Sequence, residues 1–193
     1  HYKNDSYHFE LYIIRNVLSG VMALHDAGYI HRDIDPTNIM VTSDGHVKLI
    51  DFGIAKKLTT LTTYDKALTT AGQFMGKAQY AAPELVLGDV SHQDRTTDIY
   101  AIGVIFFQFI VGHPPFEGAT HEVLDMQLHK KVPLQLISRR KVRDIIAKAT
   151  NKKQDQRYQT VAEFRVAVEQ LDLSRNKGGS NLSTTIAGIR DLF

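Results

Sequence analysis

Three oxygen-bearing side chains set the chemistry open to this sequence: Asp33, Asn38 and Asp51. The first two lie in His31-Arg32-Asp33-Ile34-Asp35-Pro36-Thr37-Asn38, and the third opens Asp51-Phe52-Gly53. Between them, two short apolar runs at 39–41 and 47–50 flank Ser43-Asp44-Gly45, the pattern of a β-hairpin. Folding that hairpin brings its open ends together, and Asn38 and Asp51 with them. Oxygen donors of this kind suit magnesium, which takes one or two carboxylates and completes its shell with phosphate oxygens and water. The carboxylate of Asp33, on the preceding loop, can accept a proton from an incoming hydroxyl. The same residue types also cap turns in loops without chemistry. The combined spacing separates the two readings; no single residue does.

The elements that must position these groups follow from periodicity. Phe9, Ile13, Val17, Gly20 and Leu24 recur at helical spacing beside Ile14, Leu18 and Val21, which predicts a core-facing helix over 8–27 with Gly28 as its stop. A loop over 29–38 leads into the hairpin. From 52 to 82 the pattern dissolves into a stretch rich in Thr, Lys and Gly, and loops of that length in a compact domain are usually functional. Further helices are predicted at 97–111, 119–129, 138–150 and 160–171, with Pro114-Pro115 and Pro133 as breakers. Past Leu173, Ser174-Arg-Asn-Lys-Gly-Gly-Ser180 has linker composition. The expectation is one domain over 1–172, mainly α with a small β-hairpin region, and a linker or tail over 173–193.

Composition narrows the function classes. With 193 residues, 43% hydrophobic and 23% charged, the chain has the makeup of an ordinary soluble domain. A net charge of +2 gives no basic stripe for nucleic acid. There is no cysteine for disulfides or thiolate metal sites. The most apolar run, Ala101 to Val111, is shorter than the roughly 20 residues of a membrane span. The first residues are polar and carry no secretory pattern.

These motifs resemble the eukaryotic-type Ser/Thr protein kinase family, and most its bacterial members. His31-Arg32-Asp33 with Asn38 is similar to the family's catalytic loop, Asp51-Phe52-Gly53 to its metal loop, and Ala82-Pro83-Glu84 to the end of its activation segment. The resemblance implies the large C-terminal lobe of that fold. It implies that Asp33 orients and deprotonates a protein Ser/Thr hydroxyl, and that Asn38 and Asp51 hold Mg2+, or Mn2+, on the phosphates of ATP. Met40 would lie beneath the adenine and Ile50 beside it. His31 and Phe52 would stack over Asp98 in the column linking the lobes, and Glu84 would pair with Arg157. Arg32 implies control by a phosphorylated residue in the activation segment, with Thr69 and Thr70 as the best-placed candidates.

Two residues depart from the family pattern. Where Ser/Thr kinases carry a lysine two positions after the catalytic aspartate, this chain has Asp35; where they carry a threonine after the docking-loop glycine, it has Lys77. These positions are neighbours in the family fold, so the expectation is that Lys77 supplies the ammonium near the transferred phosphate while Asp35 pairs with it. The alternatives are a pseudokinase or a non-catalytic docking scaffold. No glycine-rich loop or strand lysine of a small lobe is present. The chain is therefore expected to be a large lobe cut from a longer protein, with the N-lobe absent. It would be inactive alone, prone to self-association and cytoplasmic, with no membrane span in this segment, although the full-length protein could be anchored to a membrane outside it.

Overall fold

A computed structural model describes residues 7–51, 56–57 and 77–173. The fold is mainly helical. Helix α1 spans Tyr7–Asp26 and buries Leu11, Ile14, Leu18 and Val21, the stripe expected of its 3.6-residue period. It ends at Gly28, whose φ of 84° is the left-handed stop that glycine adopts without a Cβ penalty. Two antiparallel strand pairs follow: β1 (Tyr29–Ile30) with β4 (Lys56–Lys57), and β2 (Ile39–Val41) with β3 (Val47–Leu49). The second pair is the hairpin, in register Ile39↔Leu49, Met40↔Lys48 and Val41↔Val47. Its turn is closed by Gly45 N–H donating to Thr42 O at 2.8 Å, and Tyr12 of α1 pins the tip by donating its hydroxyl to Gly45 O at 2.8 Å.

The core is built around a helix, α3 (Arg95–Val111), that follows the single-turn α2 (Pro83–Val86). Asp94 caps the start of α3: its carboxylate accepts from Thr96 N at 2.7 Å while its own N–H donates to Thr97 Oγ1 at 3.2 Å. Thr96 through Phe107 are all buried, so α3 is apolar nearly all round, as a central helix must be. Against it pack α1, α5 (Arg140–Ala149) and α6 (Val161–Leu173), while α4 (Thr120–His129) packs on α2 and the 3₁₀ turn Ala78–Tyr80. A Cβ on Gly103 would lie 2.8 Å from both Ala149 Cβ and Thr150 Cγ2, so glycine is required where the end of α5 presses on α3.

The expected helices and hairpin are present, with ends shifted by a few residues. Three features differ from expectation. The loop over 29–38 contains the β1 strand and a turn of 3₁₀ helix at Pro36–Asn38, and α2 interrupts the stretch after 82. No helix among the described residues is long and apolar enough to cross a membrane.

Candidate functional site

The catalytic-type loop is held from below by one buried carboxylate. Asp98, 1% exposed on α3, accepts from His31 N and Arg32 N at 2.8 Å each and from His25 Nε2 at 2.8 Å. Three donors on one ionised group are charge-assisted bonds, stronger than neutral ones. They hold Arg32 at a φ of 69°, a left-handed conformation that costs about 1–3 kcal/mol in a residue with a side chain. Arg32 also reaches Gln93 Oε1 through Nη1 at 3.2 Å. His31 is fully buried, and its Nδ1 accepts from Asp33 N at 3.3 Å. This brings the Asp33 side chain to the loop's outer face.

From there the 3₁₀ turn at Pro36–Asn38 delivers Asn38 into the hairpin. Asn38 Nδ2 donates to Asp33 O at 2.8 Å, and Ile50 N donates to Asn38 O at 2.8 Å, which ties the two open ends together. Asp51, next after Ile50, is exposed and adopts a left-handed φ of 59°. The donor set fits a hard divalent cation: Asn38 uses its amide nitrogen inside the protein, and its Oδ1 makes no hydrogen bond among the described residues. No group of three or more His, Cys, Asp or Glu converges as a metal cage among the described residues. A set of one amide and one carboxylate is the shared kind that phosphate oxygens complete. Burial first, then the neighbouring charges of Asp35 and Asp51, push the Asp33 carboxyl above the usual carboxylate range, with His31 and Asn38 opposing. A raised carboxyl is a better proton acceptor, and bound cationic charge would relieve the crowding.

Lys77 and Asp35 meet. Lys77 Nζ lies 3.1 Å from Asp35 Oδ1 and 2.7 Å from Thr37 Oγ1. Asp35 is 3% exposed and also accepts from Thr37 N at 2.6 Å and Thr37 Oγ1 at 2.5 Å. A shallow cleft joins this cluster to Asp33; Arg32, Tyr80 and Leu85 also line it. The Tyr80 hydroxyl is pushed up to about 12 by burial, then by the charge of Asp35, and donates to Gln108 Oε1 at 2.6 Å.

The segment carrying Lys77 is fixed from two sides. Gln127 of α4, fully buried, donates through Nε2 to Ala78 O at 3.1 Å and Gln79 O at 2.6 Å. Its Oε1 accepts from Tyr100 Oη at 2.6 Å, and Lys152 Nζ donates to the same hydroxyl at 2.6 Å. Below this, Arg157 and Glu84 form a bidentate ion pair at 2.8 and 3.0 Å.

Sequence reasoning named neither His25 nor Gln127. Gln127 alone carries a faint signal, because Val123 and Gln127 share the inward face of α4, where a polar residue needs a buried partner. Met40 is 47% exposed and Ile50 half-buried, flanking the open hairpin ends. Phe52, Thr69 and Thr70 lie outside the described residues.

Comparison with known proteins bears on the family. Residues 8–169 match the protein kinase domain family. The chain is 36% identical over 173 residues to the probable serine/threonine-protein kinase PknB of Corynebacterium glutamicum, covering 85% of this chain and 26% of that protein. It is 34% identical over 166 residues to a probable serine/threonine-protein kinase of Clostridium perfringens, covering 83% and 23%. It is 37% identical over 111 residues to the serine/threonine-protein kinase PknL of Mycobacterium tuberculosis, covering 58% and 26%. The chain thus spans about a quarter of the length of the curated relatives it matches. On its matched length and its catalytic-loop and metal-loop motifs, this chain belongs to the eukaryotic-type Ser/Thr protein kinase family, in the company of bacterial members.

Proposed function

We propose that this lobe serves an ATP-dependent protein Ser/Thr kinase, moving the γ-phosphoryl group to protein hydroxyls. The observation that carries the reading is the Ile50 N to Asn38 O bond, which sets Asn38 and Asp51 at the two ends of one hairpin while Asn38 also grips the backbone of Asp33. In this reading Asp33 accepts the proton as a substrate Ser or Thr oxygen bonds to the γ-phosphorus, and the bond from that phosphorus to the bridging oxygen breaks, releasing ADP. Mg2+ on Asn38 and Asp51, with Mn2+ as an alternative, supplies charge neutralisation on the phosphates. Phosphoryl transfer needs little beyond positioning and charge, so a rigid loop suffices.

The finer assignments belong to the same reading. Lys77 supplies the ammonium near the γ-phosphate, with Asp35 as its counter-charge. Met40 and Ile50 border the adenine; the exposure of Met40 supports a face that ATP and more of a longer chain would cover. Arg32 receives a phosphorylated Thr69 or Thr70. His31, Phe52 and Asp98 form the packed column, and Glu84 with Arg157 braces the lobe. An ATP donor supports a cytoplasmic site, and residues 1–193 alone are expected to transfer little and to self-associate through the uncovered face.

Transfer of labelled phosphate from ATP to a generic protein substrate by the intact protein tests the proposal. Phosphoserine or phosphothreonine is expected, with a loss of about a hundredfold or more in Asp33→Asn. Magnesium-dependent ATP binding without transfer would leave a pseudokinase. Neither binding nor transfer would leave a docking scaffold.

A further inference from the structure

We propose that Thr37 is the residue that positions Lys77 for phosphoryl transfer, an inference that rests on the kinase reading above. A lysine ammonium has three N–H donors. Two of those on Lys77 are committed, to Asp35 Oδ1 at 3.1 Å and to Thr37 Oγ1 at 2.7 Å; the third has no partner among the described residues. The Lys77 side chain is 43% exposed, whereas that of Asp35 is 4% exposed, and both line the cleft shared with Asp33, the direction in which the third N–H would meet a phosphate.

The Thr37 hydroxyl sets that direction. It has one proton, and Asp35 Oδ1 at 2.5 Å can only accept it. Its lone pairs then remain for Lys77, so the polarity of the hydroxyl is fixed. Of the two bonds to Lys77, the one from Thr37 is the shorter. Thr37 is itself rigid: it sits in the single 3₁₀ turn Pro36–Asn38, where Pro36 fixes the backbone and Thr37 N donates to Asp35 Oδ1 at 2.6 Å. A long, rotamer-rich lysine that must present one N–H to a phosphate oxygen gains most from two fixed acceptors rather than one. Asp35 alone would neutralise the ammonium without fixing its orientation.

A purely structural role, in which Thr37 only closes the turn begun by Asp35, makes a different prediction. The test uses the intact protein with Thr37→Val, Thr37→Ser, Lys77→Met and the Thr37→Val/Lys77→Met pair. Acetylation of Lys77 by a water-soluble acylating reagent, followed by mass spectrometry against the exposed Lys130 and Lys131, reads the latch without activity. Thr37→Val is expected to raise the Lys77 labelling rate several-fold and Thr37→Ser to restore it; an unchanged rate in Thr37→Val overturns the proposal whether or not the protein is a kinase. In phosphoryl transfer, Thr37→Val is expected to lower kcat about tenfold with little change in KM, Thr37→Ser to recover most of the loss, and Thr37→Val to cost nothing further once Lys77 is Met. Equal losses in both backgrounds would assign Thr37 to the turn alone and overturn the proposal. A wild type that transfers no phosphate at all would overturn the kinase reading instead, with the labelling result still deciding whether Thr37 holds Lys77.

Discussion

Arg157 grips Glu84 through both ends of its guanidinium, Nη1 to Oε1 at 2.8 Å and Nη2 to Oε2 at 3.0 Å, with neither side chain more than 6% exposed. Its remaining donors go to the carbonyls of Asn151, Thr96 and Lys152 at 2.7, 3.0 and 3.3 Å, and its Cζ lies 4.9 Å from the Tyr100 ring centroid. One side chain thus joins α2, α3 and the turn after α5. Such a buried pair is weak evidence of net stabilisation, but removing one partner strands a charge. Arg157→Met is expected to cost about 3–5 kcal/mol in urea denaturation. The Glu84→Gln/Arg157→Met pair should cost less than the single change, because no uncompensated carboxylate remains. A loss below about 1 kcal/mol in the single variant would show that the pair is not a brace.

Lys152 gives a pH signature. Burial first, then the charge of Arg157, lowers its ammonium from 10.5 to about 8. Between about 8 and 10.5 the unfolded chain holds a proton that the folded chain has released, so stability gains with rising pH across that window. Below it, the burial cost of the charge is fully present. Urea denaturation of wild type and Lys152→Met at pH 7, 8.5 and 10 should show the difference moving in favour of wild type as pH rises. A difference that stays flat would mean the ammonium titrates normally.

Asp33 carries the opposite sign. Its carboxyl is raised by burial and by Asp35 and Asp51, so the folded state holds a proton that the unfolded state gives up, and stability falls as pH rises through that range. Above that range the ionised Asp33 therefore costs stability. Asp33→Asn should raise Tm at a pH above that range, with the loss of transfer expected above, an exchange of stability for function common at active sites. A lowered Tm would mean that the carboxylate is needed to hold the loop.

Local patterns in the sequence announced some parts of this architecture and left others silent. The hairpin was legible because Ser43-Asp44-Gly45 and its flanking apolar runs lie next to one another, and α1 because its stripe runs for five turns. The β1–β4 pairing was not legible, since each strand has two residues and two residues carry no period. His25 lies in the last turn of α1 and was not singled out. Its role depends on Asp98, 73 residues away, and no local signal reports that contact. The partners of Gln127 were hidden for the same reason: they are backbone carbonyls of Ala78 and Gln79, which no side-chain pattern encodes. The juxtaposition of Asp35 and Lys77, 42 residues apart, could be read only through the family resemblance.

The relocated lysine is tested most directly by kcat for phosphoryl transfer in the intact protein, comparing wild type, Lys77→Ala and the Asp35→Lys/Lys77→Thr pair. Lys77→Ala is expected to fall about a hundredfold, the scale of losing one charge-bearing contact to the transferring group, and the exchanged pair to recover to within about tenfold of wild type. An unchanged kcat in Lys77→Ala would contradict the assignment of the phosphate-facing ammonium to Lys77.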